Sequence, residues 1–180
     1  LDKKGVFVFE IQYLLDLLNH NEFDNTYHEH ICFHAIRPLT YLLKMHGMEI
    51  IDVIHTDTHG GAIMVFASHS PLPFKVKRSV KNMLNNEKRF GVHLLKTYKN
   101  FAVKVTRVKE KLLQFLNEAK ASKKAVVGYG APAKGNTLLN YCGVGANLIQ
   151  YTVDLSPHKQ GHLLPGSRIP IYSPEKIRET

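Results

Sequence analysis

The sequence predicts an α/β protein with two sheet-containing units joined by long helices. Over residues 5–67, apolar runs of strand length alternate with segments of helical periodicity. Residues 76–120 carry two helical patterns, and from residue 125 a β-α-β series begins with a glycine-rich turn. These observations predict domains at residues 1–70, 71–122 and 123–180, with Pro71-Leu72-Pro73 at the first boundary.

The first unit is predicted to form the end of a doubly wound sheet. Its apolar runs predict three strands, at residues 5–11, 48–54 and 62–67. A short helical turn over residues 13–18 follows the first strand, and the next helix has Pro38 in its first turn and Gly47 as its left-handed cap. Such a sheet often ends with its last two strands antiparallel, joined here by a turn at residues 59–61.

The connector is predicted to contain helices over residues 76–89 and 92–120. Apolar residues recur in the second helix at alternating steps of four and three, which is a heptad seam of about four repeats. The seam consists of Leu94, Tyr98, Phe101, Val105, Val108, Leu112, Phe115 and Ala119. A seam of this kind allows an oligomer formed through the 92–120 helix, but the tyrosine, two phenylalanines and alanine within it favour the alternative. The alternative is a connecting helix whose apolar stripe packs against neighbouring domains.

The last unit is predicted to be a small Rossmann-like domain. Its strands are expected at residues 125–130, 148–154 and 169–171. A helix that begins at Lys134 or Gly135 closes at residues 142–145, and Pro174 takes the first position of a final helix. This order predicts a parallel sheet in which the first helix is the crossover.

The composition is typical of a soluble globular protein: 180 residues, 44% hydrophobic, 22% charged, with a net charge of +9. The basic excess favours a solvated helix face over a nucleic-acid partner, because no nucleic-acid-binding signature accompanies it. Cys32 and Cys142 have no CxxC partner, and neither a signal peptide nor a membrane-length apolar run occurs, so a cytoplasmic protein with no membrane partner is expected. A strand that begins soon after Leu1 predicts a fragment of a longer protein.

The glycine turn at residues 130–137 has the GxxxxG spacing and terminal threonine of a phosphate-binding P-loop. Asn136 replaces the lysine that this loop requires, and Ala133 stands where GxGxxG would place its third glycine. What remains is a helix N-terminus beside Lys134, which favours an anion such as a phosphate ester. The alternative is a tight strand-to-helix turn that needs glycine only for its geometry.

A cluster of polar side chains lies at residues 24–30 (DNTYHEH), and His34 follows one helical turn later. Its phenol, carboxylate and imidazoles are suited to proton transfer near neutral pH, although a polar loop with surface histidines is the alternative. The zinc-protease pattern HExxH fails in both registers, because position 32 is cysteine and position 31 is isoleucine. No metal site is therefore predicted.

Several ordered motifs span most of the chain. They are EFDNTYHEH at 22–30, HG at 46–47, THGGA at 58–62, VGYGAPAKGNT at 127–137, VDLSPHKQG at 153–161 and LPGSRIPI at 164–171. Together they resemble the later half of the S-adenosylmethionine-dependent C-methyltransferases that act on nucleotide-linked deoxysugars. Members of that family have an N-terminal zinc-binding domain, a central cofactor-binding domain and a Rossmann-like C-terminal domain.

The resemblance implies that residues 1–70 end the cofactor-binding domain and residues 123–180 form the C-terminal domain, with a sugar nucleotide in the cleft between them. His30 matches the proposed general base, which removes a proton from the carbon beside a ketone, and Tyr27 and Glu29 match its active-site neighbours. The enolate carbon would then attack the cofactor methyl group. The residues expected near the phosphorylated part of the substrate are Lys134, Gly135, Asn136 and Thr137.

The family's glycine-rich cofactor loop, its acidic ribose-binding residue and its zinc cysteines have no counterpart in these residues. S-adenosylmethionine is therefore expected to bind mainly outside this chain, and the chain alone is not expected to methylate. The alternative function is a non-catalytic Rossmann-like module that binds a sugar nucleotide or a protein partner.

Overall fold

A computed structural model describes residues 1–71 and 73–179. The chain divides into unit 1, made of Leu1–Glu22 and Ile31–Ala102, and unit 2, made of Phe23–His30 and Val103–Thr180. The predicted α/β fold is confirmed, since each unit contains a sheet and long helices lie between the two sheets in the sequence. The predicted domain boundaries, after residues 70 and 122, differ from the limits of these two units and stay a prediction. Leu72, part of the Pro71-Leu72-Pro73 segment at the first boundary, lies outside the described residues.

The sheet of unit 1 has three antiparallel strands in the order β1-β3-β2. The strands are β1 (Phe7–Gln12), β2 (Met48–Thr56) and β3 (Ala62–His69). A 3₁₀ turn, Thr58–Gly60, joins the last two strands, where a turn over residues 59–61 was predicted. The expected antiparallel ending of this sheet is confirmed.

Three helices cover the sheet and surround its core. They are α1 (Leu14–His20), α2 (Ile36–Met45) and α3 (Arg78–Phe90). Pro38 lies in the first turn of α2, and Gly47 has φ 65° just beyond its end, as the sequence predicts. The core contains Ile36 together with Ile63 and Val65 of β3, all completely buried.

Glu87 of α3 is a buried carboxylate that caps α2. It accepts hydrogen bonds from the N–H groups of Ile36 at 2.5 Å and Arg37 at 3.1 Å, and from the phenol of Tyr13 at 3.1 Å. The N-cap residue itself, Ala35, has no side chain that could do this. Burial raises the pKa of Tyr13 above its ordinary value, and the charge of Glu87 and its hydrogen bond add to the effect.

The long predicted helix is α4 (Leu95–Ala121), and its apolar stripe departs from the predicted heptad seam. Val105 is buried as expected, but Phe115 is 59% exposed while its neighbour Leu116 is 1% exposed. Val105 and Leu116 lie about three turns apart on a straight helix, whereas a strict heptad repeat requires supercoiling. Leu116 packs against Cys142 within unit 2, so this part of the stripe serves packing inside the chain. An oligomer formed through the helix stays a prediction.

The sheet of unit 2 is parallel, in the order β4-β5-β6, as predicted. Its strands are β4 (Gly128–Tyr129), β5 (Thr152–Val153) and β6 (Ile171–Tyr172), and the crossover is α5 (Ala133–Cys142). These strands are shorter than expected, although pairing continues through Gln150 N–H to the Val126 carbonyl at 3.1 Å and Gly130 N–H to the Val153 carbonyl at 2.6 Å.

The final helix begins at Pro174, as predicted, but is a 3₁₀ helix, Pro174–Glu179. Both cysteines are free thiols. Within residues 1–71 and 73–179, no helix combines the length and apolar character needed to cross a membrane.

Candidate functional site

A cavity of about 510 Å³ opens in unit 2 where its first two parallel strands end. The wall is built from the 23–30 segment, the glycine turn after β4, the first turn of α5 and the loop after β5. Ligands of parallel α/β sheets bind at this edge, and the volume is within the ordinary range for a small-molecule site.

The 23–30 segment reaches the cavity because it packs on α5. Its 3₁₀ turn, Phe23–Asn25, places the Phe23 ring 5.1 Å from the Tyr141 ring in an edge contact. Asn25 is 2% exposed, which anchors the turn. Tyr27 and His28 follow directly and form part of the cavity wall.

His30 is held by two neighbours from its own segment. Its Nδ1 lies 2.7 Å from the carbonyl oxygen of Asn25, and its ring lies 4.2 Å from the Tyr27 ring. A carbonyl can only accept, so the Nδ1 contact requires a proton on that atom, which leaves Nε2 with the lone pair of a neutral imidazole. His30 itself is half-buried and is not part of the cavity wall, although the neighbouring Tyr27 is.

Only some of the other predicted site residues line the cavity. Asn136 and Thr137 line the cavity with Tyr27, whereas Glu29 is exposed and is not part of the wall. Gly135 lines a smaller adjacent cavity of about 210 Å³, which also includes Asn136. Lys134 is half-buried and belongs to the lining of neither cavity.

The cavity favours an anion. The N-terminus of α5 opens onto it, and the N-cap residue Pro132 has no capping side chain for the first backbone N–H groups. Basic side chains complete this wall: His28, His158, Lys159 and His162. Among the described residues that line it, none carries a carboxylate. We refer to it below as the basic cavity.

Asp154, just after β5, ties two parts of this wall together. One carboxylate oxygen, Oδ2, accepts the N–H of Ala131 at 2.7 Å and the ammonium of Lys159 at 3.3 Å, while Oδ1 accepts the N–H of Ser156 at 2.8 Å. Lys159 also donates to the carbonyl of Ala131 at 3.0 Å. Hydrogen bonds from the N–H groups of Ser156 and Ala131 lower the pKa of Asp154, and Lys159 adds to this effect.

Sequence reasoning did not assign a role to Asp154 or to the basic residues His158, Lys159 and His162. Their signal was present, because they directly follow a strand of a parallel sheet, where such folds bind ligands. Attention to the glycine turn favoured Lys134 as the cation of the site, but Lys159 is the lysine in the wall.

The residues of the basic cavity do not fit S-adenosylmethionine, since that cofactor carries a sulfonium cation and the wall is basic. No residue of this cavity is therefore assigned to the cofactor. Within the described parts of the chain, no three His, Cys, Asp or Glu side chains are grouped as metal ligands.

A parallel α/β unit with a helix N-terminus and a basic cavity at its strand ends is an arrangement that can accommodate an anionic small molecule. The family described as "C-methyltransferase C-terminal domain" matches residues 57–180. The chain is also 41% identical over 172 residues to C-methyltransferase NovU of Streptomyces niveus, covering 96% of this chain and 41% of that protein. The chain thus belongs to the C-methyltransferase family, as its motifs predicted, and spans less than half the length of this relative.

Proposed function

We propose that this chain is the C-terminal part of an S-adenosylmethionine-dependent C-methyltransferase that acts on a nucleotide-linked keto-deoxysugar. The observation that carries the proposal is the orientation of His30, whose Nδ1 contacts the Asn25 carbonyl at 2.7 Å and whose ring lies 4.2 Å from that of Tyr27, a residue of the basic cavity. The match to C-methyltransferase NovU supports the transfer of a methyl group to carbon.

His30 acts as the general base. A hydrogen on the carbon beside a ketone is weakly acidic, so its removal needs a positioned base and a donor to the developing oxyanion. Nε2 of His30 takes this proton, and the electron pair of the C–H bond forms the enolate. S-adenosylmethionine, which the residues of the basic cavity do not fit, would have to be held by other residues and would supply the methyl group.

Tyr27 and Glu29 assist this step. The phenol of Tyr27 donates a hydrogen bond to the enolate oxygen, since Tyr27 lines the cavity and its ring contacts that of His30. Glu29, between Tyr27 and His30 in the sequence, interacts with the imidazolium after proton transfer.

The phosphorylated part of the substrate binds at the other end of the wall. Asn136 and Thr137 offer donors in the first turn of α5, and the helix N-terminus favours negative charge. Lys134 and Gly135 complete this turn. The proposal includes no partner other than the nucleotide-linked sugar. A cytoplasmic location is also proposed, because two free cysteines fit a reducing compartment.

The test is solvent hydrogen exchange at the substrate carbon, measured by mass spectrometry with the whole protein in deuterated buffer. His30→Ala should abolish both exchange and methyl transfer while the affinity for the nucleotide sugar stays within a few-fold. His34→Ala is the matched control, because His34 follows on the same loop but belongs to unit 1. Full exchange in His30→Ala would refute the assignment of the base.

The second candidate is a non-catalytic module that binds a sugar nucleotide or a protein partner through unit 2. The basic cavity supports the first of these equally well, since binding does not require the base. Under this alternative the wild-type protein would bind the nucleotide sugar but show no hydrogen exchange in any variant.

A further inference from the structure

Asp154 occupies the place where dinucleotide-binding folds keep an acidic residue for the ribose hydroxyls, at the end of the strand after the glycine turn. Here its carboxylate has other partners. The N–H groups of Ala131 and Ser156 and the ammonium of Lys159 all donate to it, within 2.7–3.3 Å. The carboxylate therefore serves the protein's own loops, and a ribose would have to displace them.

These partners belong to two loops that line the basic cavity and contact each other, since Lys159 donates to the Ala131 carbonyl at 3.0 Å. Ala131 belongs to the glycine turn, and Lys159 belongs to the loop after β5; both line the cavity. Gln160 adds a second connection, because its amide donates to the carbonyl of Asp154 at 2.9 Å. Without the carboxylate, the ammonium of Lys159 would keep the Ala131 carbonyl as its acceptor, and its position would be less restricted.

We propose that Asp154 is a positioning residue, which holds the Lys159 ammonium and the glycine turn in the geometry that binds the diphosphate of the substrate. An ammonium group has three donors, of which Asp154 and Ala131 take two, so one donor is left for a phosphate oxygen. The inference rests on the proposed function, because it names the residue that prepares the site for that substrate class.

Charge alone predicts the opposite effect from positioning. Asp154→Asn removes one negative charge from the edge of an anion site, so a purely electrostatic role would make diphosphates bind more tightly. A positioning role makes them bind more weakly, because asparagine keeps one acceptor oxygen and cannot hold Ala131, Ser156 and Lys159 together. The sign of the change therefore separates the two roles.

The experiment is calorimetric titration of the whole protein with uridine diphosphate and with inorganic pyrophosphate. We expect Asp154→Asn to weaken both about tenfold, as for the loss of one hydrogen bond to a charged group. Glu110→Gln, the same change of charge at an exposed position of α4, should leave both affinities unchanged. In the kinetic assay, Asp154→Asn should raise KM and leave kcat within a few-fold.

Lys159→Met provides the second variant. Asp154→Asn should weaken binding less in the Lys159→Met background than in the wild type, because the two changes share the Asp154–Lys159 contact and only the bond to Ala131 remains to be lost. Affinity in Asp154→Asn that equals or exceeds the wild-type value would overturn the positioning role and leave the proposed function intact. A wild-type protein that binds neither probe would overturn the proposed substrate class and this inference with it.

Discussion

Glu87→Gln should destabilise unit 1 far more than the loss of one surface charge would. The carboxylate is 3% exposed and accepts bonds through both oxygens, Oε1 from Ile36 and Tyr13 and Oε2 from Arg37. Glutamine keeps one acceptor oxygen, and its amide group would meet the N–H of one of these donors. One buried N–H group is then left without an acceptor, at the first turn of α2.

The magnitude follows from these contacts. Loss of one hydrogen bond to a charged group costs about 1.5–3 kcal/mol. Loss of the negative charge beside the N-terminus of α2 adds about 0.3–1 kcal/mol. The sum of about 2–4 kcal/mol corresponds to a fall in Tm of about 5–15 °C for a chain of this size.

Urea unfolding followed by circular dichroism measures the effect, with Glu110→Gln as the exposed control. Tyr13→Phe removes only the phenol bond to Glu87, so it should cost less, about 0.5–1.5 kcal/mol. Equal stability of Glu87→Gln and Glu110→Gln would refute the capping role. A larger loss in Tyr13→Phe than in Glu87→Gln would show that the phenol, and not the helix end, is the important partner.

Two further predictions concern pH and the isolated chain. Burial of Asp52 disfavours its charged form, but hydrogen bonds from Lys77 and Ser79 outweigh this effect and lower its pKa. The charged carboxylate therefore stabilises the fold above the pKa of an unfolded aspartate, and this stabilisation is lost as the pH falls through the folded pKa. Asp52→Asn should therefore be less stable than wild type at pH 7, with the difference shrinking towards pH 3 in urea titrations; a difference independent of pH would contradict this. The isolated 180 residues should transfer no methyl group from radiolabelled S-adenosylmethionine to a nucleotide-linked keto sugar, and robust turnover would show that the cofactor site lies within them.

Local signals were sufficient for the order of elements. Runs of β-branched and aromatic residues placed the strands of unit 1 to within two residues, and Pro38 and Gly47 marked the two ends of α2. The parallel sheet of unit 2 followed from the same kind of pattern. The lengths of these strands could not be predicted from the same pattern, because the apolar residues continue along the chain beyond the point where regular strand pairing stops.

Contacts between distant residues were not predictable. Glu87 lies 51 residues after Ile36, the first residue of the helix that it caps, and nothing in the spacing of α3 distinguishes it from a surface glutamate. The burial of Leu116 was also not predictable from the sequence. Leu116 is buried in place of Phe115 because the helix follows the ordinary α-helical period and not the heptad repeat. At the candidate site, chemistry-bearing residues could be selected by type, but only the fold shows that Lys159 and not Lys134 faces the cavity with Tyr27.

The chain leaves unit 1 after Glu22 and returns to it at Ile31, and the residues between pack with a part of the chain that is synthesised much later. During synthesis, His30 and Tyr27 leave the ribosome long before α5, so the 23–30 segment cannot yet pack on that helix. A change at Tyr141, whose ring contacts Phe23, would therefore loosen the segment that carries His30 without contacting His30 itself. Substitutions in α5 should therefore affect the 23–30 segment although they lie more than a hundred residues later in the sequence.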